Sequence, residues 1–174
     1  MGSQAKIRAG AVGLAGAAFL GACATGTPHS ASLTAAGGAG GAPAPLAGYD
    51  WFLNTEGPAA QLVYGLEESD DVKLSLGCER KDGRIEVSAH GPDGGPAEIH
   101  LESGGETERL RATAEPMEVS DGEWLTAMAR TSDPVFQRFR QVGWLAVWQG
   151  NERHAYAPHP GSQDRVEQFF GRCG

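Results

Sequence analysis

The sequence predicts an α+β domain over residues 49–174, in which one antiparallel β-sheet curls into a sandwich or partial barrel with two short helices and one disulfide. Four segments between residues 72 and 113 alternate apolar and polar side chains, a pattern typical of half-buried antiparallel strands. Two later segments have instead the apolar spacing and end signals of short helices. An antiparallel sheet covered by helices accounts for both patterns.

The first clear hairpin joins segments 72–78 and 84–90 through the four-residue loop 80–83. In this register Leu76 faces Val87, and the other apolar residues of the two strands also face one another. A slip of one residue would move every apolar side chain to the solvent face, so the pattern specifies the register.

A second hairpin is expected about Gly94, because the segment 91–96 is rich in Gly and Pro. Pairing about this point would place His90 opposite Glu98 and Ser88 opposite His100. The remaining strands are predicted at 49–53, 61–64, 97–102, 109–113, 123–129, 144–149 and 152–157, the last two joined by a two-residue turn at Gly150.

The two helices are predicted from their end signals. Asp133 and Pro134 are suited to the cap and first position of a helix, and Gly143 follows its expected end. Ser162 opens the second helix, whose inward stripe ends in Cys173. Cys173 can therefore reach Cys78 on the sheet, and we predict a disulfide that closes a loop of about 95 residues.

Residues 1–22 have the three parts of a secretory signal peptide. Lys6 and Arg8 supply the positive charge, and residues 9–20 are uncharged and mostly apolar. A helix that spans a membrane needs about 20 apolar residues, and this stretch of 12 is too short for one. The tetrapeptide at 20–23 reads Leu-Gly-Ala-Cys.

This tetrapeptide resembles the lipobox of bacterial lipoproteins. The resemblance implies cleavage before Cys23, a diacylglycerol thioether on its sulfur, and an N-linked acyl chain such as palmitate on the new terminus. In Gram-negative lipoproteins, an Asp directly after the lipidated cysteine resembles an inner-membrane retention signal. Position 24 is Ala in this chain, so the resemblance favours sorting to the outer membrane, with the domain in the periplasm. The membrane is then a partner through the lipid anchor.

Residues 24–48 contain no charged side chain and consist mostly of Ala, Gly, Ser, Thr and Pro. Such a composition cannot bury enough apolar surface to offset the entropy lost on ordering. We therefore predict that residues 23–48 form a lipidated cysteine followed by a flexible tether, with a root-mean-square reach of about 25–30 Å.

The charge balance argues against nucleic acid as a partner. The whole chain has 14 basic and 22 acidic residues, a formal net charge of −8, and removal of Lys6 and Arg8 with the leader makes it −10. A surface of this sign is repelled by phosphate backbones.

The expected cross-strand cluster of His90, His100 and Glu98 is the candidate metal site, because zinc accepts imidazole and carboxylate ligands. With Ser88 beside His100, the same face could also be interpreted as a Ser–His–Glu arrangement. The sequence contains no phosphate loop, CxxC or HExxH motif, so we assign no catalytic residue and expect no cofactor. A solvated polar face is the simpler interpretation of the cluster.

Trp144 and Trp148 lie in a run that is apolar on both faces. One face should belong to the core, and the other is either covered by a helix or exposed. If exposed, the two tryptophans would be candidate anchors for a partner or platforms for sugar stacking.

These observations predict an envelope lipoprotein with a non-enzymatic binding or interaction domain that faces the periplasm, with an envelope protein or the cell wall as partner. Export, lipidation, a small β-rich body and one disulfide are also similar to lysozyme-inhibitor lipoproteins, the first alternative. The second alternative is a hydrolase, metal-dependent or otherwise, that uses the His90/His100 face. The body resembles uncharacterised small exported domains of proteobacteria that end in a Phe-rich helix and a cysteine, a likeness that implies no activity.

Overall fold

The computed structural model describes residues 41–118 and 121–174. The predicted leader, Cys23 and most of the tether lie outside the described residues. The strands are β1 (Tyr49–Asn54), β2 (Ala59–Leu66), β3 (Val72–Glu79), β4 (Arg84–Gly91), β5 (Glu98–Ser103), β6 (Glu106–Pro116), β7 (Glu123–Arg130), β8 (Leu145–Gln149) and β9 (Glu152–Tyr156). The helices are α1 (Pro134–Val142) and α2 (Gln163–Cys173).

The nine strands form one sheet in the order β1-β2-β3-β4-β7-β6-β5-β8-β9, curled into a nearly closed barrel. The pairs are antiparallel, as the alternating patterns predicted. β6 is long enough to pair with β5 through its first half and with β7 through its second. It therefore joins two half-sheets: β1 to β4 with β7, and β5 with β8 and β9. The predicted fold class is confirmed.

The β3–β4 hairpin has the register that its apolar pattern predicts. Leu74 pairs with Ala89 and Leu76 with Val87, and all four side chains are buried. Matching apolar faces fix this register because a one-residue slip would expose them.

The predicted hairpin about Gly94 is wrong. β4 pairs with β7 instead, so that His90 lies opposite Trp124 and Ser88 opposite Thr126. β5 pairs with β6 and β8, and the loop between β4 and β5 crosses from one half-sheet to the other. The pairing with β7 places Leu125 opposite Ala89 and Ala127 opposite Val87, so the apolar residues of both strands share the buried face.

Both helices pack their apolar sides onto the barrel core. α1 begins at Pro134 and is ended by Gly143, whose φ of 79° is favourable for glycine. Phe139 of α1 lies with its ring centroid 5.1 Å from that of Trp51, and Phe170 of α2 contacts Phe139. Within the described part of the chain, neither helix has the length and apolar character needed to cross a membrane.

The predicted disulfide between Cys78 and Cys173 is confirmed. Their Cα atoms are 5.7 Å apart, a usual distance for a bridged pair. The bond fastens the end of α2 to β3 across a sequence separation of 95 residues.

Side chains also hold β1 to the segment that precedes α2. Asp50 accepts hydrogen bonds from the Ser162 hydroxyl at 2.7 Å and from the His159 backbone N–H at 3.2 Å. The His159 Nε2 atom lies 3.0 Å from the carbonyl oxygen of Leu46, at the entry of the chain into the barrel. These contacts connect the first strand with the chain beyond the last strand.

Candidate functional site

A cavity of about 100 Å³ lies at one end of the barrel, beneath the loop that crosses between the half-sheets. It is surrounded by the end of β4, the beginning of β5, the beginning of β7 and the end of β8. Apolar walls are formed by Ala89, Ile99, Leu125 and Val147, and the polar lining consists of His90, Glu98, His100, Arg109, Trp148 and Gln149. Apolar walls with a few converging polar groups are typical of ligand sites.

A second, more open groove of about 410 Å³ shares His90, Val147 and Gln149 with the cavity. It is lined further by Leu46, Lys73, Arg153, His154, Ala155 and Tyr156. Where the two spaces adjoin, the Gln149 side-chain amide donates a hydrogen bond to the His90 carbonyl oxygen at 2.8 Å. The cavity and groove together are called the histidine cleft below.

His90 lies half-buried near the end of β4, with its ring edge-on to that of Trp124 at a centroid distance of 5.1 Å. Burial lowers the pKa of His90 below its ordinary value of 6.5, and the positive charge of Lys73 lowers it further, against the opposing effect of Asp71. The imidazole is therefore neutral at pH 7.

His100 on β5 stacks on Trp148 of β8, with ring centroids 6.0 Å apart and planes inclined by 23°. Burial lowers the pKa of His100, and the neighbouring Arg109 adds to this effect against Glu98 and Glu102. The second imidazole of the cleft is thus also neutral at pH 7.

Glu102 is the best-buried carboxylate beside the cleft, with 4 % of its surface exposed. It accepts hydrogen bonds from Trp148 Nε1 at 2.8 Å and from Arg153 Nε and Nη2 at 2.7 and 3.1 Å. Burial alone would raise the pKa of Glu102, but the bonds from Arg153 and Trp148 outweigh it and lower the pKa. Glu102 stays ionised and fixes both partners.

The other carboxylates around the cleft are also paired. Asp71 lies 2.6 Å from Lys73 Nζ, and Glu98 forms an ion pair with Arg109. In contrast, the Nε2 atom of His154 is buried without a hydrogen-bond partner among the described residues.

The prediction of a metal site at His90, His100 and Glu98 rested on the wrong strand pairing. The described residues contain no group of three His, Cys, Asp or Glu side chains that could hold a metal ion. Both histidines do line one cavity, but they contact aromatic rings, and Glu98 is bound by Arg109. We therefore assign no metal to this part of the chain.

The Ser–His–Glu interpretation fails for the same reason. Ser88 pairs with Thr126, and their hydroxyl oxygens lie 3.4 Å apart. His100 is on β5, where it pairs with Arg109 and Trp148.

The two tryptophans differ in exposure. Trp144 precedes β8 and is only 2 % exposed, with the Arg153 guanidinium 4.8 Å from its ring centroid, so the prediction of a surface anchor is wrong for this residue. Trp148 is half-buried, and its indole N–H and one ring face are engaged by Glu102 and His100. Trp148 lines the cleft instead of presenting a free platform.

The fold and the site define a class: a small antiparallel barrel, covered by two helices, with a ligand-sized cleft at one end. Comparison with known proteins adds no family to this class, since no family model, no curated protein and no solved structure matches the chain.

Proposed function

We propose that this chain is a membrane-anchored lipoprotein of the bacterial envelope whose barrel is a non-enzymatic binding module, with the histidine cleft as its binding site. The observation that carries the proposal is the convergence of His90, His100 and Trp148 on one cavity with apolar walls. Polar groups in such a setting orient a ligand, while the apolar walls supply area for contact.

The envelope location is supported by the sequence of the leader and by the disulfide. The lipobox-like tetrapeptide ends at Cys23, and the cationic and apolar regions precede it in the order that export requires. The bond between Cys78 and Cys173 is of a kind that persists in oxidising compartments such as the periplasm. Anchoring to the outer membrane, with the domain in the periplasm, agrees with both observations.

Binding is favoured over hydrolysis by the surroundings of the imidazoles. His90 is edge-on to Trp124 and His100 is stacked on Trp148. A general base in hydrolysis is normally oriented by a carboxylate and lies within reach of a nucleophile. Aromatic contacts hold an imidazole ring in place for recognition, but they supply neither the orienting carboxylate nor the nucleophile.

The proposal is tested by closing the cleft at Gln149, which lies where the cavity and groove adjoin. Polar small molecules would be screened against the full chain in detergent by protein-observed NMR. We expect hits to shift amide signals of residues 89–91 and 147–150, and to lose binding in Gln149→Trp.

The matched control is Gln61→Trp, the same change at an exposed position on β2. It should leave binding intact. Hits that shift neither segment, or that bind Gln149→Trp as well as the unaltered chain, would remove the cleft as the binding site.

A further inference from the structure

The histidine cleft has more hydrogen-bonding capacity than the protein uses. Among the described residues, the buried Nε2 of His154 has no hydrogen-bond partner, and the half-buried rings of His90 and His100 contact tryptophans. Buried polar groups are normally paired, so the unpaired Nε2 of His154 beside a groove that His90 also lines requires an explanation.

The charged side chains around the cleft are already paired with one another. Asp71, Glu98 and Glu102 are each engaged by a Lys or Arg, so that three ion pairs surround the cleft. These pairs contribute no net charge. The charge of the cleft then depends on the imidazoles, each of which donates from both nitrogens once protonated.

We propose that the histidine cleft binds a small oxyanion, a carboxylate or a phosphate, together with a proton that is taken up by His90 or His100. This inference rests on the proposed function and names the ligand class of the same site. An oxyanion accepts hydrogen bonds from the N–H groups of protonated imidazoles, and charge-assisted bonds of this kind are about twice as strong as neutral ones.

The size of the site restricts the ligand. A cavity of about 100 Å³ accommodates an anionic group with a few further atoms, and the adjoining groove of about 410 Å³ has room for a longer substituent. Ala89, Ile99 and Val147 form apolar walls on which the non-ionic part of such a molecule can pack. The proposed ligand is therefore a small organic acid or phosphate ester.

The charged groups around each imidazole come from several strands. Those that act on His90 are Lys73 and Asp71, those that act on His100 are Arg109, Glu98 and Glu102, and those beside His154 are Glu152 and the Arg153–Glu102 pair. Burial is the largest effect at His90 and His100, and it lowers the pKa of both. A bound anion opposes burial, because its negative charge stabilises the protonated ring.

The proposal predicts the direction in which pH changes the affinity of the cleft for the anion. If an anion binds the protonated form more tightly, saturation with the anion raises the imidazole pKa. A rise of one pKa unit corresponds to about tenfold tighter binding to the protonated form. Affinity for the anion should then increase as the pH falls from 7.5 to 5.5, by up to roughly tenfold per pH unit.

The test is an NMR pH titration of the full chain in detergent, with ¹³C-labelled histidine and acetate as the first probe. Acetamide, the neutral analogue of acetate, is the matched ligand control, and inorganic phosphate is compared at pH 6.0. We expect saturating acetate to raise the pKa of His90 or His100 and phosphate to shift the same signals, while acetamide leaves the pKa unchanged.

Variants identify the histidine that takes up the proton. His90→Gln and His100→Gln remove one imidazole each, and the variant that lacks the proton acceptor should lose the pH dependence of acetate binding. His29→Gln, in the predicted tether, is the control and should behave as the unaltered chain. Retention of the pH dependence in both cleft variants would overturn the inference.

The outcome also separates this inference from the proposed function. Neutral compounds could bind in the cleft and lose affinity in Gln149→Trp, while acetate and phosphate shift no histidine signal. In that case the proposed ligand class is wrong and the proposed binding function stands. If no compound of either kind shifts signals of the cleft, both proposals fail together.

Discussion

Glu102 shows how one carboxylate can organise an end of this barrel. It lies on β5 yet holds Trp148 on β8 and Arg153 on β9 through three hydrogen bonds. Arg153 in turn lies over the Trp144 ring. The orientation of Trp148, and with it one wall of the cleft, therefore depends on a charge buried on a neighbouring strand.

Replacing Glu102 by Gln should destabilise the domain by about 3 kcal/mol at pH 7, because it leaves Arg153 without its buried counter-charge. The pKa of Glu102 in the folded chain is below its ordinary value of 4.5. Its contribution to stability is therefore complete above about pH 4.5 and is lost as the pH falls through the folded-state pKa. Urea unfolding between pH 7 and pH 3 measures this loss.

The loss on acidification should be smaller in Glu102→Gln than in the unaltered chain. Glu106→Gln, at an exposed position on β6, serves as the control and should follow the unaltered chain throughout. Equal acid sensitivity in all three proteins would contradict the role given to Glu102.

Gly91 is required by the close approach of Leu125 at the edge of the cavity. A Cβ atom at this position would lie 2.7 Å from Leu125 Cδ1, closer than packed carbon atoms allow. Gly91→Ala should therefore displace Leu125, lower the free energy of unfolding by about 1–3 kcal/mol and weaken ligand binding in the cleft.

The matched control for Gly91→Ala is Gly77→Ala on β3, where a Cβ atom would have no neighbour within 4 Å. Its free energy of unfolding should change by less than about 0.5 kcal/mol. Thermal unfolding of the two variants side by side measures the difference, and equal Tm values would show that the crowding at Leu125 is unimportant.

The sequence identified part of the site at this scale. His90, His100 and Trp148 were singled out, and all three line the cavity. Arg153 and His154 were missed because their roles depend on the position of β9, which no local pattern encodes. The available signal was the polar start of β9, Glu-Arg-His, which directly follows the apolar strand β8 and its turn.

At the scale of elements, local signals predicted well and long-range pairing did not. The helix ends at Pro134 and Gly143 follow from backbone preferences of single residues, and the β3–β4 register follows from adjacent apolar patterns. The partner of β4 is β7, more than 30 residues away in sequence. The Gly- and Pro-rich composition of the loop after β4 predicts a turn, but it does not indicate which strand pairs with β4.

The disulfide fastens one element to another, and its removal should be costly. In the chain-entropy model a closed loop of about 95 residues stabilises the fold by about 4–5 kcal/mol, through restriction of the unfolded chain. Cys78→Ala/Cys173→Ala should lower the midpoint of urea unfolding by a corresponding amount.

Reduction of the unaltered chain with dithiothreitol should have a similar effect, whereas the double variant should be insensitive to reductant. A double variant with the unfolding midpoint of the oxidised chain would show that the bridge adds no stability.

At the scale of the whole molecule, the proposed lipid anchor would hold an acidic protein at a membrane. A chain of net charge −8 gains no attraction from anionic head groups, so under this proposal attachment would depend on lipid at Cys23. Two or three acyl chains, at about 0.8 kcal/mol per buried methylene, are sufficient for stable anchoring.

Replacing Cys23 by Ser should abolish lipidation and release the protein from the membrane fraction. Mass spectrometry of protein from the native host should show a mature N-terminus at Cys23 with added acyl mass, absent in the variant. Cys78→Ser is the control and should remain in the membrane fraction. An unmodified Cys23, or an intact Met1, in the unaltered protein would contradict the proposed location.

The bridge between Cys78 and Cys173 also determines how this domain responds to mechanical load. Tension applied between residue 41 and the C-terminus passes through the bridge, so the residues enclosed by it carry no pull. Only the stretch that precedes Cys78 can be drawn out, a length of roughly 120 Å at full extension. Single-molecule stretching should therefore give a short extension in oxidising buffer and a much longer one after reduction.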